Sequence, residues 1–130
     1  MKPIFTVDGR HYNVSVAVGG LKRSAKVLDG KNAGRVQSGR LNRDIIGTYY
    51  NYAMQIETEH MDVAEYDALY EVLSAPVDYH NIVITYGQGT LAFEAYISNV
   101  DDALQLVHGT TNLWGGLAFT FTAMEPKRRP

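Results

Sequence analysis

The chain contains no cysteine, and it has only four prolines and one tryptophan among its 130 residues. The missing thiols exclude disulfide bonds and thiolate metal sites, and they agree with folding in a reducing compartment. No apolar run approaches the ~20 residues that span a bilayer. No basic start followed by an apolar stretch opens the chain, so we expect neither a membrane segment nor a signal peptide.

Basic side chains are missing from most of the sequence. Residues 44–126 contain twelve carboxylates and no lysine or arginine, whereas residues 1–43 contain nine basic side chains and two acidic ones. The last four residues add Lys127, Arg128 and Arg129. Opposite poles attract each other between copies, and such a head-to-tail contact builds rings or filaments rather than closed dimers. This charge pattern indicates a self-assembling structural protein.

Length and composition predict one globular domain. A chain of 130 residues with 45% hydrophobic and 20% charged residues has ordinary values for a single folded unit. We expect this domain to cover residues 1–130, with a basic extended loop or arm over residues 22–43 and a helix over residues 62–74.

Alternating apolar residues predict strands in the first half of the chain. They favour strands over residues 11–18 and 21–28, separated by Gly19-Gly20, and a long loop or hairpin tip over residues 29–40. Residues 44–57 give the clearest strand, with Ile46 and every second residue to Ile56 on the core face. Fourteen residues exceed the usual strand length of about 5–6. Part of this strand is therefore expected to extend beyond the domain or pair with a neighbouring subunit.

The helix is predicted from its cap and its apolar stripe. Asp62 is a good N-cap, and Glu65 three residues later completes a capping-box pattern. Four apolar or aromatic residues at helical spacing form the buried stripe, and Pro76 ends the helix near Ser74. The stripe consists of Tyr66, Leu69, Tyr70 and Leu73.

The second half returns to strands. A hairpin is predicted from residues 80–86 and 90–98, then a turn at 99–102, a short strand at 103–108 and a closing strand at 113–124. The predicted fold class is mainly β with α+β character, an antiparallel β-sandwich or small barrel with one flanking helix. The predicted core consists of Ile46, Tyr50, Tyr52, Met54, Leu69, Leu73, Phe93, Ile97, Phe119 and Phe121.

Catalytic and metal-binding patterns are weak. Residues 57–62 hold the densest potential metal ligands, but their spacing matches no EF-hand or zinc motif, and acidic residues before a helix favour its dipole. The four histidines are scattered, and the segment from Gly19 to Ser24 lacks the spacing of a phosphate loop. We predict no catalytic residue, metal or cofactor, and hence a protein that is not an enzyme. A metal-dependent or small-ligand domain centred on residues 57–62 is an alternative.

The basic segment over residues 22–43 has three interpretations: a subunit-docking arm, a solvated loop, or an arm that contacts a nucleic-acid backbone by charge neutralisation. It has no interleaved aromatic residues, so base stacking is not indicated. Trp114, before Gly115-Gly116, is typical of a core or interface anchor, with ligand stacking as an alternative. The predicted subunit interface consists of Lys22, Arg23, Lys26, Lys31, Arg35, Arg40, Arg43, Tyr49, Tyr50 and Trp114.

Two stretches carry a resemblance to a known family. Residues 21–50, with Leu21-Lys22-Arg23 and Arg43-Asp44-Ile45-Ile46-Gly47, look like small structural proteins of prophages from Gram-positive bacteria. Residues 113–126 are similar to the closing strand of many tail proteins, where a Trp or Leu, alternating apolar residues and a final Pro recur. The chain thus resembles bacteriophage tail proteins of the tail-tube, distal-tail or baseplate-hub type. That resemblance implies a tail-tube-like β-sandwich with one helix and a long hairpin that reaches a neighbour.

The resemblance also implies a function. It implies a ring of identical subunits, commonly a hexamer, around a channel through which DNA passes as cargo. Other tail or baseplate proteins are the further partners, no membrane is involved, and assembly in the bacterial host cytoplasm places the protein in the virion tail. Carboxylates lining the channel would repel DNA and let it slide. The alternative function is a nucleic-acid-binding module that uses the arm over residues 22–43.

Overall fold

The described residues form ten strands and one helix. The structure, a computed structural model, describes residues 4–31, 34–35, 39–57 and 61–130, with residues 35 and 42 described for their backbone only. In chain order the elements are β1 (Phe5–Val7), β2 (Arg10–His11), β3 (Ser15–Asp29), β4 (Gly34–Arg35), β5 (Leu41–Asn42), β6 (Ile45–Glu57), α1 (Val63–Leu73), β7 (His80–Tyr86), β8 (Gly89–Tyr96), β9 (Val100–His108) and β10 (Thr111–Ala123). The predicted mainly β class with one helix is confirmed.

The main strands form two antiparallel layers that share β10. The first sheet has the order β2-β1-β7-β8 and ends on the last residues of β10, and the second has the order β9-β10-β6-β3. β10 pairs with β6 through residues 118–121 and with β8 through Thr122 and Ala123. This open arrangement is consistent with a β-sandwich. The small-barrel alternative is wrong, because β2 and β3 end the strand order without pairing to each other in the described part of the chain.

Aromatic side chains fill the space between the two sheets. The ring of Phe5 in β1 contacts Phe119 and Phe121 in β10, with centroid separations of 5.9 and 5.6 Å. Tyr52 in β6 packs at 5.9 Å from Phe93 in β8. Edge-to-face and tilted ring pairs of this kind add to the free energy gained by burial. The core therefore lies between strands that are distant in sequence.

Most of the predicted core is confirmed. Seven of the ten residues are buried, namely Tyr50, Tyr52, Met54, Leu69, Leu73, Phe119 and Phe121. Phe93 and Ile97 are half-buried and pack against the core. The prediction for Ile46 is wrong, since its side chain is 38% exposed. Ile46 lies where β6 has passed the end of β10, so no second sheet covers it.

The helix agrees with the prediction except at its cap. α1 covers residues 63–73, and the carbonyl of Asp62 accepts the Tyr66 N–H at 2.9 Å. The Asp62 side chain makes no capping hydrogen bond. The Glu65 carboxylate instead accepts the backbone N–H of Asn13 at 3.3 Å. The predicted capping box is therefore wrong, because Glu65 ties the helix to the segment between β2 and β3.

The amino-terminal strands differ from the prediction. The strands expected at 11–18 and 21–28 are replaced by β3, which runs along β6 from residue 15 to residue 29. Gly19-Gly20 does not end this strand. Residues 17–20 form a bulge opposite Gln55, because the paired register resumes only at Leu21. A φ of 79° at Gly19 suits glycine, and the bulge leaves Val18 fully exposed.

Two loop predictions also change. The turn expected at residues 99–102 is wrong, because β9 begins at Val100 and continues to His108. In the described part of the loop predicted at 29–40, β4 pairs with β5 through Gly34 and Asn42. The hairpin tip predicted there is thus present in its described residues, while residues 32–33 and 36–38 lie outside them.

Candidate functional site

β3 and β6 form a two-stranded ribbon that extends past the rest of the second sheet. Their register runs without interruption from Leu21 opposite Met54 to Leu28 opposite Gly47. β10 pairs with β6 only as far as Tyr52. The ribbon therefore projects beyond β10. We call the described residues of the range 21–52 the basic ribbon.

The predicted arm residues lie on this ribbon. Lys22, Arg23 and Lys26 are exposed on β3, so this part of the predicted loop or arm is a strand. Lys31, Arg40 and Arg43 are exposed near the tip, and Arg35 belongs to β4. Arg43 forms a two-pronged ion pair with Asp29, with both N–O distances at 3.2 Å. This pair joins the two ends of the tip, and Arg–carboxylate pairs of such geometry are specific in orientation.

The carboxyl-terminal tail adds its charges to the ribbon. The Thr48 N–H donates to the Arg128 carbonyl at 2.8 Å, and the Lys127 N–H donates to the Thr48 carbonyl at 2.9 Å. Gly47 allows this approach, since a Cβ there would stand 2.5 Å from the Arg128 carbonyl oxygen. The ribbon and tail thus collect ten of the twelve basic residues of the chain, which are Lys22, Arg23, Lys26, Lys31, Arg35, Arg40, Arg43, Lys127, Arg128 and Arg129.

Sequence reasoning missed the docking of the tail. A glycine within a strand pattern often marks a close approach of another backbone. Gly47 was therefore the available signal, but the alternation of apolar residues around it predicts only a strand. No local pattern could have identified the tail as the segment that approaches.

Tyr50 was predicted both in the core and as an exposed interface residue. Its ring is buried and packs edge-to-face on Tyr86 at 5.3 Å, so the exposed placement is wrong. Hydrogen bonds to Tyr86 and Arg128 lower the pKa of Tyr50, and the Arg23 guanidinium lies 5.2 Å from the Tyr86 ring centroid. Tyr49 is half-buried on the opposite face, where Lys26 is its register partner.

β9 and β10 form a second projecting hairpin with a different surface. We call residues 103–114 the apolar hairpin. Leu104 lies opposite Trp114, and Leu106 lies opposite Leu113. Four large apolar side chains of this hairpin are about half exposed: Leu104 (46%), Leu106 (55%), Val107 (56%) and Trp114 (42%). Exposed apolar side chains that cluster on one short hairpin are typical of an interaction surface.

A groove with aromatic walls and carboxylates runs between α1 and the apolar hairpin. It has a volume of about 330 Å³ and is lined by Tyr66, Asp67, Tyr70, Glu71, Asp102 and Trp114. The Tyr66 hydroxyl donates to the Asp102 carboxylate at 2.8 Å. Burial and the Asp102 carboxylate raise the pKa of Tyr66, so this phenol stays protonated as a donor. We call this feature the acidic groove.

The two hairpins lie at opposite ends of the second sheet. β6 and β10 are antiparallel, with Tyr52 opposite Phe121 and Gln55 opposite Ala118. The ribbon tip therefore lies beyond the end of β10, whereas the apolar hairpin contains the start of β10. The predicted interface residues of the arm thus lie on one ribbon but on both of its faces, with Lys26 and Tyr49 on one face and Arg23 on the other. Trp114 is separated from them.

The alternative metal site falls largely on residues that the structure does not describe, since Thr58, Glu59 and His60 lie outside the described ranges. Within those ranges, no group of three or more His, Asp or Glu side chains is placed to hold a metal ion. In the same part of the chain, no helix is both long enough and apolar enough to cross a membrane.

Comparisons with known proteins do not identify a family. The chain matches no protein-family model, and a search of curated proteins finds no significant match. The functional argument therefore depends on the geometry and charge of the two projecting hairpins, together with the resemblance seen in the sequence.

Proposed function

We propose that the chain is a structural subunit of a phage tail or tail-like particle, and that it assembles into rings around a DNA channel at the tube or baseplate core. One observation carries this proposal: the second sheet projects a basic ribbon at one end and an apolar hairpin beside an acidic groove at the other. Unlike surfaces at opposite ends of one subunit favour heterologous contacts, which close into rings when the rotation allows.

The physical properties of the two ends support association in a fixed orientation. Complementary charges give orientation and a fast association rate more than affinity. Buried apolar anchors add affinity to such charge contacts, and the exposed Trp114 and its leucine neighbours suit that role. The sandwich with one helix and a long hairpin also agrees with the architecture that the family resemblance implies.

Under this proposal the protein is not an enzyme and needs no cofactor or metal. Its partners are copies of itself in the ring, together with adjacent tail or baseplate proteins. DNA passes through the channel as cargo. The protein is assembled in the cytoplasm of the bacterial host and resides in the virion tail.

Light scattering after size exclusion, at low and at high salt, tests self-association. We expect particles of several subunits at low salt that dissociate at high salt, because salt screens charge contacts between exposed groups. Arg40→Glu on the ribbon should lower the particle mass, whereas Arg10→Glu, the same charge change in the first sheet, should not. A monomer at every salt concentration would contradict the proposal.

The gathering of ten basic residues on the ribbon and tail favours a second candidate, a nucleic-acid-binding module. Its expected signature is DNA binding that weakens steeply with salt, since each neutralised phosphate releases counterions. Trp114→Ala separates the two candidates. This change should weaken self-association, because it removes an apolar anchor, but it should leave DNA binding by the distant ribbon unchanged.

A further inference from the structure

We infer that the acidic groove of one copy receives the tip of the basic ribbon of a second copy. This inference rests on the proposed self-assembly and names the two surfaces that meet. It assigns a role to the groove between α1 and the apolar hairpin, which the sequence pattern did not reveal.

The groove has the chemistry of a site for cationic side chains. Its walls include Tyr66, Tyr70 and Trp114, and aromatic faces attract lysine and arginine. Asp67 and Glu71 are exposed on α1 beside these rings. No lysine or arginine occurs in α1, β9 or β10, so the elements that form the groove supply no basic partner for its carboxylates. A basic segment from elsewhere fits this surface.

The ribbon tip offers a matching combination of charge and apolar surface. Lys31 and Arg40 are exposed there, and Leu41 is 44% exposed. Arg43 is held by Asp29, which joins the ends of the tip. The tip therefore presents cations beside an apolar side chain, which are the two features that the groove can accommodate.

The tip cannot come from the same copy. Seven residues of β6 lie between Tyr52 and the tip, and six residues of β10 (115–120) lie between Phe121 and Trp114 in the groove. At about 3.3 Å per strand residue, tip and groove are separated by on the order of 50 Å along the strands. The occupant is thus a second copy, and each copy keeps one free groove and one free tip for the next.

Cysteine cross-linking tests this contact directly, because the chain has no cysteine of its own. Val63, which is 43% exposed, lines a depression that adjoins the acidic groove and shares Tyr66, Asp67 and Trp114 with it. It is replaced in one copy as Val63→Cys, and a second copy carries Leu41→Cys. We expect a mixture of the two to form a cross-linked pair at low salt. Val83→Cys, at a similarly exposed position of the first sheet, is the matched control and should give little product with Leu41→Cys.

Charge reversal sharpens the test. Asp67→Lys with Glu71→Lys in the groove copy should lower the yield at least about tenfold, since close charge pairs across interfaces couple strongly. Lys31→Glu with Arg40→Glu in the tip copy should restore it. Asp78→Lys with Glu57→Lys reverses two exposed carboxylates elsewhere and should have little effect. Thermal unfolding of each variant checks that it remains folded.

The outcomes separate this inference from the proposed function. Equal cross-linking at Val63 and Val83, or a groove reversal without effect, overturns the groove assignment. If light scattering still shows particles that dissociate in salt, self-assembly stands and a different surface receives the ribbon. If neither cross-links nor particles form at any salt concentration, both the inference and the proposed function are wrong.

Discussion

The basic ribbon and the apolar hairpin belong to the same sheet, yet they present opposite chemistry. The ribbon carries cationic side chains, and the tail pairs with its β6 strand through the hydrogen bonds at Thr48. The apolar hairpin has no lysine or arginine and exposes leucine, valine and tryptophan. Both segments project beyond the body, where side chains are not selected for burial. Their surfaces are therefore free to serve contacts outside the chain.

The two hairpins share one structural root. β6 and β10 pair through residues 52–55 and 118–121, and these residues include the buried Tyr52 and Phe121. Damage to the root should affect both hairpins, whereas a change within one hairpin should leave the other intact. Four substitutions test whether the two hairpins depend on this shared pairing, in descending order of expected effect.

Phe121→Ala should have the largest effect because it removes the root of both hairpins. Phe121 is fully buried and contacts the rings of Phe5 and Phe119 at 5.6 and 5.1 Å. Truncating a buried Phe typically costs about 3–5 kcal/mol of unfolding free energy. Trp114→Ala, in the exposed part of the same strand, should cost less than about 1 kcal/mol. Urea unfolding measures both, and equal losses would show that the apolar hairpin is as tightly packed as the body.

Gly47→Ala should damage the ribbon alone. The new Cβ would stand 2.5 Å from the Arg128 carbonyl oxygen and 2.6 Å from the Pro126 Cβ, so the tail must move. Overpacking of this kind costs about 1–3 kcal/mol. Gly34→Ala is the matched control, since nothing lies within 4 Å of its added Cβ. Faster hydrogen exchange at Thr48 and Lys127 should accompany the loss, and unchanged exchange would contradict the observed docking of the tail.

Tyr66→Phe should affect only the side of the molecule that holds the acidic groove. It removes the hydroxyl that donates to Asp102 at 2.8 Å. Because Asp102 is only half-buried, we expect a loss of about 1.5 kcal/mol, the lower end of the range for a hydrogen bond to a charged group. Tyr96→Phe, at an exposed position, is the control. Because burial and Asp102 raise the pKa of Tyr66, absorbance titration should find the same number of phenols ionising near pH 10 in the variant and in the parent. One fewer ionising phenol in the variant would contradict this assignment.

Asp8→Asn should have the smallest effect and should leave both hairpins unchanged. Burial by itself would raise the pKa of Asp8. Its carboxylate accepts hydrogen bonds from His80 at 2.7 Å and from the Asn81 N–H at 2.8 Å, and it also interacts with the His80 charge. These interactions outweigh burial, so the pKa of Asp8 is lowered. A carboxylate with a lowered pKa stabilises the fold above its unfolded pKa of ~3.9, and this contribution disappears as pH falls through the folded value.

The Asp8 side chain is 44% exposed, and water screens such pairs, so we expect a difference of at most about 1 kcal/mol at pH 7. Urea unfolding at several pH values should show this difference vanishing toward low pH. A difference that persists in acid would mean that the substitution changes the turn at Asp8 and Gly9, between β1 and β2, rather than the charge interaction with His80. Self-association should match that of the parent.

Local patterns predicted the main elements. The alternation over residues 44–57 identified β6, the stripe from Tyr66 to Leu73 identified α1, and Leu117, Phe119 and Phe121 marked the inner face of β10. These predictions succeeded because one face of each element is buried, and burial imposes a period that the sequence records. The prediction for Ile46 failed where the same alternation continues beyond the body, since the period does not say where the core ends.

The surfaces proposed to act depend on pairing between distant segments. The sequence itself determined the segregation of charge along the chain, the absence of cysteine and the long strand β6. The tertiary structure decided that β3 passes through Gly19-Gly20 as a bulge, that the tail lies on Thr48, and that Trp114 stands at the opposite end of the sheet from the basic tip. The physical reason is that periodicity reports which face of an element is buried, whereas strand register and backbone approach fix which elements meet.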